Sequence, residues 1–121
     1  MASLLPGRQV GSVDKIAPRY VFEARVQIRL KRDNRNLNLQ GWVRDLSESG
    51  LRAFVAESLV PGESVIFEIP LPGYEKLMIP AEVVRALGTE YGFQFTALSA
   101  DQRSQIRGTL QGRSAIVRAQ P

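Results

Sequence analysis

The chain changes character at Arg19. From Tyr20 to Lys31 the apolar residues Tyr20, Phe22, Ala24, Val26, Ile28 and Leu30 alternate with Val21, Glu23, Arg25, Gln27, Arg29 and Lys31. A period of two held this long predicts a β-strand with one face buried and one in water. The polar run 31–36 reads as a turn. Leu37, Leu39, Gly41 and Val43 then alternate with Asn38, Gln40, Trp42 and Arg44 as a second strand. After the Asp-, Ser- and Gly-rich run 45–50, Leu51, Ala53 and Val55 carry a third strand, with Phe54 out of phase and expected under a C-terminal helix. Ser64–Ile69 is a fourth, with Val65, Phe67 and Ile69 in phase. Lys76–Arg85 is a fifth, in which Pro80 argues for an edge or a bulge. Glu90–Phe95 is a sixth, with Tyr91, Phe93 and Phe95 on the core face.

The pattern then switches. Ser99 followed by Gln102 is a capping-box signature. It predicts a helix from about Ala100 to Leu110 with Ile106 and Leu110 inward, stopped near Gly112. Six strands and one helix make a mainly β protein, an antiparallel barrel or sandwich. Residues 1–18 have no period and read as a flexible N-terminal arm; 19–112 form the folded unit and 113–121 a tail.

Composition narrows the chemistry. The 121 residues include no cysteine and no histidine. Disulfides, thiolate metal sites, cysteine nucleophiles and the commonest general base are therefore absent. Glu63, Glu68, Glu75 and Glu82 fall on separate segments and suggest no carboxylate pair for glycoside chemistry. An enzyme is not expected, nor a cofactor. No apolar run approaches the ~20 residues of a membrane-spanning helix, and no signal peptide is evident, so a cytoplasmic protein is expected.

The net charge of +4 is unevenly spread. Residues 1–44 carry +6, residues 45–98 carry −5 and residues 99–121 carry +3. A basic first third points to an anionic partner.

Two segments carry candidate chemistry. In Asp45-Leu46-Ser47-Glu48-Ser49-Gly50 a carboxylate, a hydroxyl and a glycine form a polar concavity. The carboxylate can accept from a guanine edge, the hydroxyl can bond a phosphate or base, and the glycine admits a ligand to the backbone. The same residues can equally close an Asx or Ser turn on backbone amides. In Lys15-Ile-Ala-Pro-Arg19, Arg19 can clamp a phosphate or stack on a purine, and Lys15 adds a point charge. Trp42 can stack on a base, cap the barrel or meet the helix; Arg85 can reach a phosphate or end its strand in solvent.

Taken together, a basic K/R-x-x-x-R arm before a long strand and a D-x-S-x-x-G turn some 25 residues later resemble the PilZ domain family over about residues 15–112. Asp45, Ser47 and Gly50 match the second motif. Arg19 matches the second arginine of the first motif, and Lys15 stands where its first arginine belongs, with Arg8 farther up the arm. The resemblance implies a six-stranded antiparallel barrel with a C-terminal helix. It implies a non-catalytic bacterial receptor that binds the second messenger cyclic di-GMP through Lys15, Arg19, Asp45, Ser47 and Gly50 and switches its interaction with a downstream protein. Members with degenerate arms bind protein only, and the Lys15 departure keeps that alternative open. A monomer or weak dimer is expected. Binding of single-stranded nucleic acid is not expected, because the strands show no row of exposed aromatics.

Overall fold

The computed structural model describes residues 18–113 and Ala115. Its strands are β1 (Tyr20–Arg32), β2 (Arg35–Leu46), β3 (Gly50–Val55), β4 (Ser64–Ile69), β5 (Leu77–Leu87) and β6 (Glu90–Phe95), followed by α1 (Ala100–Leu110). Lys15 and Arg8 lie outside the described residues. The strands close into a barrel in the order β1-β2-β3-β6-β5-β4, every pair antiparallel. Closure leaves no sheet edge, which a small antiparallel sheet would otherwise have to protect.

The core is the inward half of the alternation. Phe22, Val26, Ile28 and Leu30 of β1 meet Val43, Leu51, Ala53, Phe67, Ile79 and Phe93, all buried. Phe67 and Phe93 pack edge to face with ring centroids 4.7 Å apart, a favoured aromatic geometry. Tyr91 is also buried, and its hydroxyl accepts from the Leu59 amide at 3.1 Å. Phe95 packs on the core only in part.

β1 and β2 run further than the alternation alone indicates. Asp33 and Asn34 both take positive φ, 53° and 61°. That is a two-residue primed turn, which suits the right-handed twist of a hairpin and which Asp and Asn tolerate. Lys31, Arg32, Arg35 and Asn36 are therefore paired strand residues and not loop. At its other end β2 takes in Asp45 and Leu46, so the polar turn shortens to residues 47–49. Pro80 pairs with Ile66 of β4, just before β5 gains β6 as its second neighbour at Ala81. The bulge of β5 falls later, at Val84.

The helix begins as the sequence indicates. The Gln102 amide donates to Ser99 Oγ at 3.0 Å, and the Ser99 amide donates to Gln102 Oε1 at 3.1 Å. Gln102 Nε2 also donates to the Met78 carbonyl at 3.0 Å, tying the helix start to β5. Ile106 and Leu110 are buried. Gly112 takes φ 81°, the left-handed conformation that ends helices. The chain then returns to the barrel. Arg113 places its guanidinium 5.0 Å from the Phe22 ring, and Ala115 bridges to Tyr20. Phe54 is not under this helix. It is on the outer face of β3, opposite Trp42, with the Arg44 guanidinium 5.0 Å over its ring. The odd phase that separated it from Ala53 and Val55 is simply the solvent phase.

Arg107 docks the helix on the 47–49 turn, its Nε and Nη2 each donating at 3.0 Å to a carboxylate oxygen of Glu48. This fork holds the Glu48 carboxyl below its ordinary value of 4.5, against a smaller opposing effect of burial. A depressed folded-state value stabilises above the unfolded value and loses that stabilisation as pH falls through it. Wild type should therefore exceed Glu48→Gln in stability at pH 7. The difference should shrink below pH 4.5 and vanish by about pH 3, as urea unfolding at a series of pH values will show.

Candidate functional site

Three departures from regular pairing build the site. In β1, Phe22 and Glu23 stand against a single residue of β2, Arg44. In β2, Arg44 is the extra residue against β3, because Val43 pairs with Ala53 and Asp45 with Arg52. In β5, Val84 is the extra residue against β6, because Val83 pairs with Phe93 and Arg85 with Gly92. A β-bulge reverses the facing of all that follows it. Val43 and Val83 point into the core. Unbroken alternation would send Asp45 and Arg85 in after them; the bulges turn both outward. The result is one row across five neighbouring strands: Val21, Asp45, Arg52, Gly92 and Arg85.

Asp45 is the centre of that row. Its side chain is 1% exposed, and it lies between two guanidinium groups. Arg19 Nη1 donates to Oδ1 at 2.8 Å. Arg52 Nη2 lies 2.8 Å from Oδ2 as an ion pair, without an aligned N–H, and Arg52 Nε is 3.2 Å from Glu90. A buried carboxylate is costly unless it is paired, and here two cations share it. The carboxylate is thus not open to a guanine edge while Arg19 and Arg52 hold it.

Ser47 is likewise buried. Its Oγ accepts from the Ser49 and Gly50 amides, each at 3.1 Å. The Ser47 amide donates to the Gly50 carbonyl at 2.9 Å. This is the hydroxyl-closed turn, with Ser47 shaping the backbone. Gly50 serves close approach of chain to chain. A Cβ there would stand 2.1 Å from the Phe93 carbonyl oxygen, so only glycine lets β3 meet β6. Arg19 and the 45–50 turn are therefore brought together as expected, but the exposed chemistry is cationic.

Arg52 was not among the residues singled out by motif. It lies two residues past Gly50, on the solvent phase of β3, and only its pairing with Asp45 marks it out. Arg85, ambiguous in the sequence, lines a cleft of about 280 Å³ with Arg19, Arg52 and Glu90. Trp42 does not line this cleft. It is 38% exposed on the outer face between Arg25, whose guanidinium is 6.0 Å from the ring, and Phe54. The strands thus do carry two exposed aromatics side by side, which alternation alone did not reveal. Among the described residues no group of three acidic side chains could hold a metal, and no helix is long and apolar enough to cross a membrane.

A family model described as "PilZ domain" matches residues 17–112. No curated protein matches the chain. Among solved structures, the fold is similar to the PilZ domain of CeSA from a cellulose-synthesizing bacterium, at 23% identity and TM-score 0.60 over 78% of this chain and 95% of that one. It is similar to the PilZ domain of Escherichia coli YcgR with c-di-GMP, at 15% identity and TM-score 0.57 over 76% and 85%. It is also similar to the Bacillus subtilis inhibitor of motility MotI/DgrA, at 17% identity and TM-score 0.60 over 79% of this chain and 49% of that one. At these identities the likeness is one of fold.

Two stability outcomes follow from the geometry. Gly50→Ala should destabilise by about 1–3 kcal/mol, the usual cost of overpacking, because the obstructing atom is backbone. Arg52→Ala should cost about 1–3 kcal/mol by leaving Asp45 Oδ2 buried without a cation. In urea unfolding, Arg52→Ala and Asp45→Ala together should cost less than the sum of the two alone. An additive result would show that the pair does not interact.

Proposed function

We propose that this chain, which belongs to the PilZ domain family, is a receptor for cyclic di-GMP whose binding site lies between the arm ending at Arg19 and the Asp45–Gly50 turn. The observation that carries this reading is the contact between Arg19 Nη1 and Asp45 Oδ1 at 2.8 Å. It joins two motif halves that are 26 residues apart in sequence. The YcgR PilZ domain, solved with c-di-GMP, shares the fold.

The chemistry suits a ligand with two phosphates and two guanines. A guanidinium has five N–H donors, and Arg19 uses one on Asp45. The rest remain for a phosphate oxygen or for stacking on a base. Asp45 fixes the plane of that fork. Ser47 and Gly50 hold the turn that fixes Asp45. Lys15 supplies a further point charge from the arm. With the arm laid against the ligand, the protein presents a different surface to a partner protein, and that surface is the output. The reading assigns no catalytic step.

A second reading, an adaptor that binds protein alone, is favoured by one observation. Arg19 and Arg52 are already charge-compensated by Asp45 and Glu90. A lysine at position 15 also lacks the planar fork of arginine.

Titration calorimetry with cyclic di-GMP separates the two. The receptor reading expects saturable heat, with binding weakened at least about tenfold in Arg19→Ala, the loss expected for one charged hydrogen bond. Asp45→Ala should weaken binding as much, with circular dichroism confirming that both variants are folded. No heat and no thermal shift at tens of micromolar ligand would overturn it and leave the adaptor.

A further inference from the structure

The five-strand row contains a feature that neither motif covers. Gly92 of β6 is the register partner of Arg52 on one side and of Arg85 on the other. Direct partners in an antiparallel sheet put their side chains next to one another on one face. Two arginines thus flank a position with no side chain, and Gly92 becomes the floor of a slot between them. The same cleft takes in Arg19 and Glu90 at its mouth and the apolar side chains of Val84 and Leu87 at its wall.

The slot is built for an anion. Arg52 is held by Asp45 through Nη2 and by Glu90 through Nε, which leaves Nη1 free. Arg19 keeps Nε and Nη2. Arg85 has no carboxylate partner among the described residues. Three guanidiniums against the two carboxylates Asp45 and Glu90 leave one positive charge over. The bulge at Val84 is what aims Arg85 here, and bulges next to binding sites often re-aim one side chain in this way. Gly92 does not take a left-handed φ. A Cβ there would meet Arg85 Cβ at 3.4 Å, an ordinary contact. Nothing in the backbone requires glycine at this position; what glycine provides is the empty floor.

We propose that the slot between Arg52 and Arg85, floored by Gly92, is a phosphate subsite that takes one phosphodiester group of the bound ligand. The proposal rests on the receptor reading for the identity of that ligand. It places a barrel-borne arginine where the arm offers only Lys15. A guanidinium grips a phosphate bidentately and a lysine only as a point charge.

The test compares wild type with Arg85→Ala, Arg85→Glu and Gly92→Val. Arg85 makes no ion pair among the described residues. Valine suits a strand better than glycine does. All three should therefore keep the wild-type melting temperature or exceed it. By calorimetry with cyclic di-GMP, Arg85→Ala should bind about tenfold more weakly and Arg85→Glu roughly a hundredfold, and Gly92→Val should lose binding by filling the floor. Wild-type affinity in folded Arg85→Glu and Gly92→Val would overturn the subsite. A second arm separates its failure from that of the receptor reading. Inorganic pyrophosphate is titrated into ¹⁵N-labelled protein while the Gly92 amide is followed. If wild type binds no cyclic di-GMP, but pyrophosphate gives a saturable Gly92 shift that Arg85→Glu abolishes, the slot stands as a site for another phosphoester and the receptor reading falls. If neither ligand binds, both fall.

Discussion

The carboxylate of Asp45, buried on the barrel wall and shared by Arg19 and Arg52, is the interaction on which the rest of the site depends. Removed from water, it would be prohibitive alone. Paired twice, it becomes a fixed point from which two guanidiniums are oriented. Arg19 ties the entry of β1 to β2, and Arg52 ties β3 to β2 and, through Glu90, to β6. One acidic side chain therefore sets the relative position of four strands at the end of the barrel where the candidate motifs meet.

That arrangement exists only because the barrel breaks its own alternation. A closed six-stranded barrel must fill its interior with one side chain in two. Along β2 and β5 that rule would carry Asp45 and Arg85 into the hydrocarbon core. A single extra residue in each strand, Arg44 and Val84, moves both to the outer face. The third irregularity, at Phe22 and Glu23, keeps Val21 beside Asp45 while Phe22 stays buried. The bulges reconcile a packed core with a charged row directly outside it.

The helix and the segment after it bear on the same region from two sides. Arg107 grips Glu48 within the turn, and Arg113 and Ala115 return to Phe22 and Tyr20 beside Arg19. The middle of the chain, acidic by count, turns out to be where the arginines of the first third find their partners: Arg19 on Asp45, Arg29 on Glu68, and Arg32 on Glu57 and Glu63. Much of the basic excess is thereby spoken for inside the fold. The cation at the site that stays without such a partner among the described residues, Arg85, comes from the acidic segment.

Alternation along β1, β4 and β6, the capping box at Ser99 and Gln102, and the Gly112 stop are properties of neighbours in sequence. They rest on period and on local hydrogen bonds, so the number, type and approximate limits of the elements were legible from the amino acids alone. The D-x-S-x-x-G spacing was legible too, and so was Arg19 as its companion. Strand register is not local. A one-residue bulge leaves no mark in composition, yet it decides which face Asp45 and Arg85 occupy. The turn at Asp33 and Asn34 lengthened a hairpin by a backbone conformation that residue identity permits but does not announce. Gly50 read as an opening for a ligand and proved to be the point where β3 touches β6. Arg52, Gly92 and Arg85 come from three strands and become one feature only when the sheet is paired. The sequence determined what the strands are made of and which residues carry charge; only closure of the barrel, by setting the register between strands, decided which charges face each other.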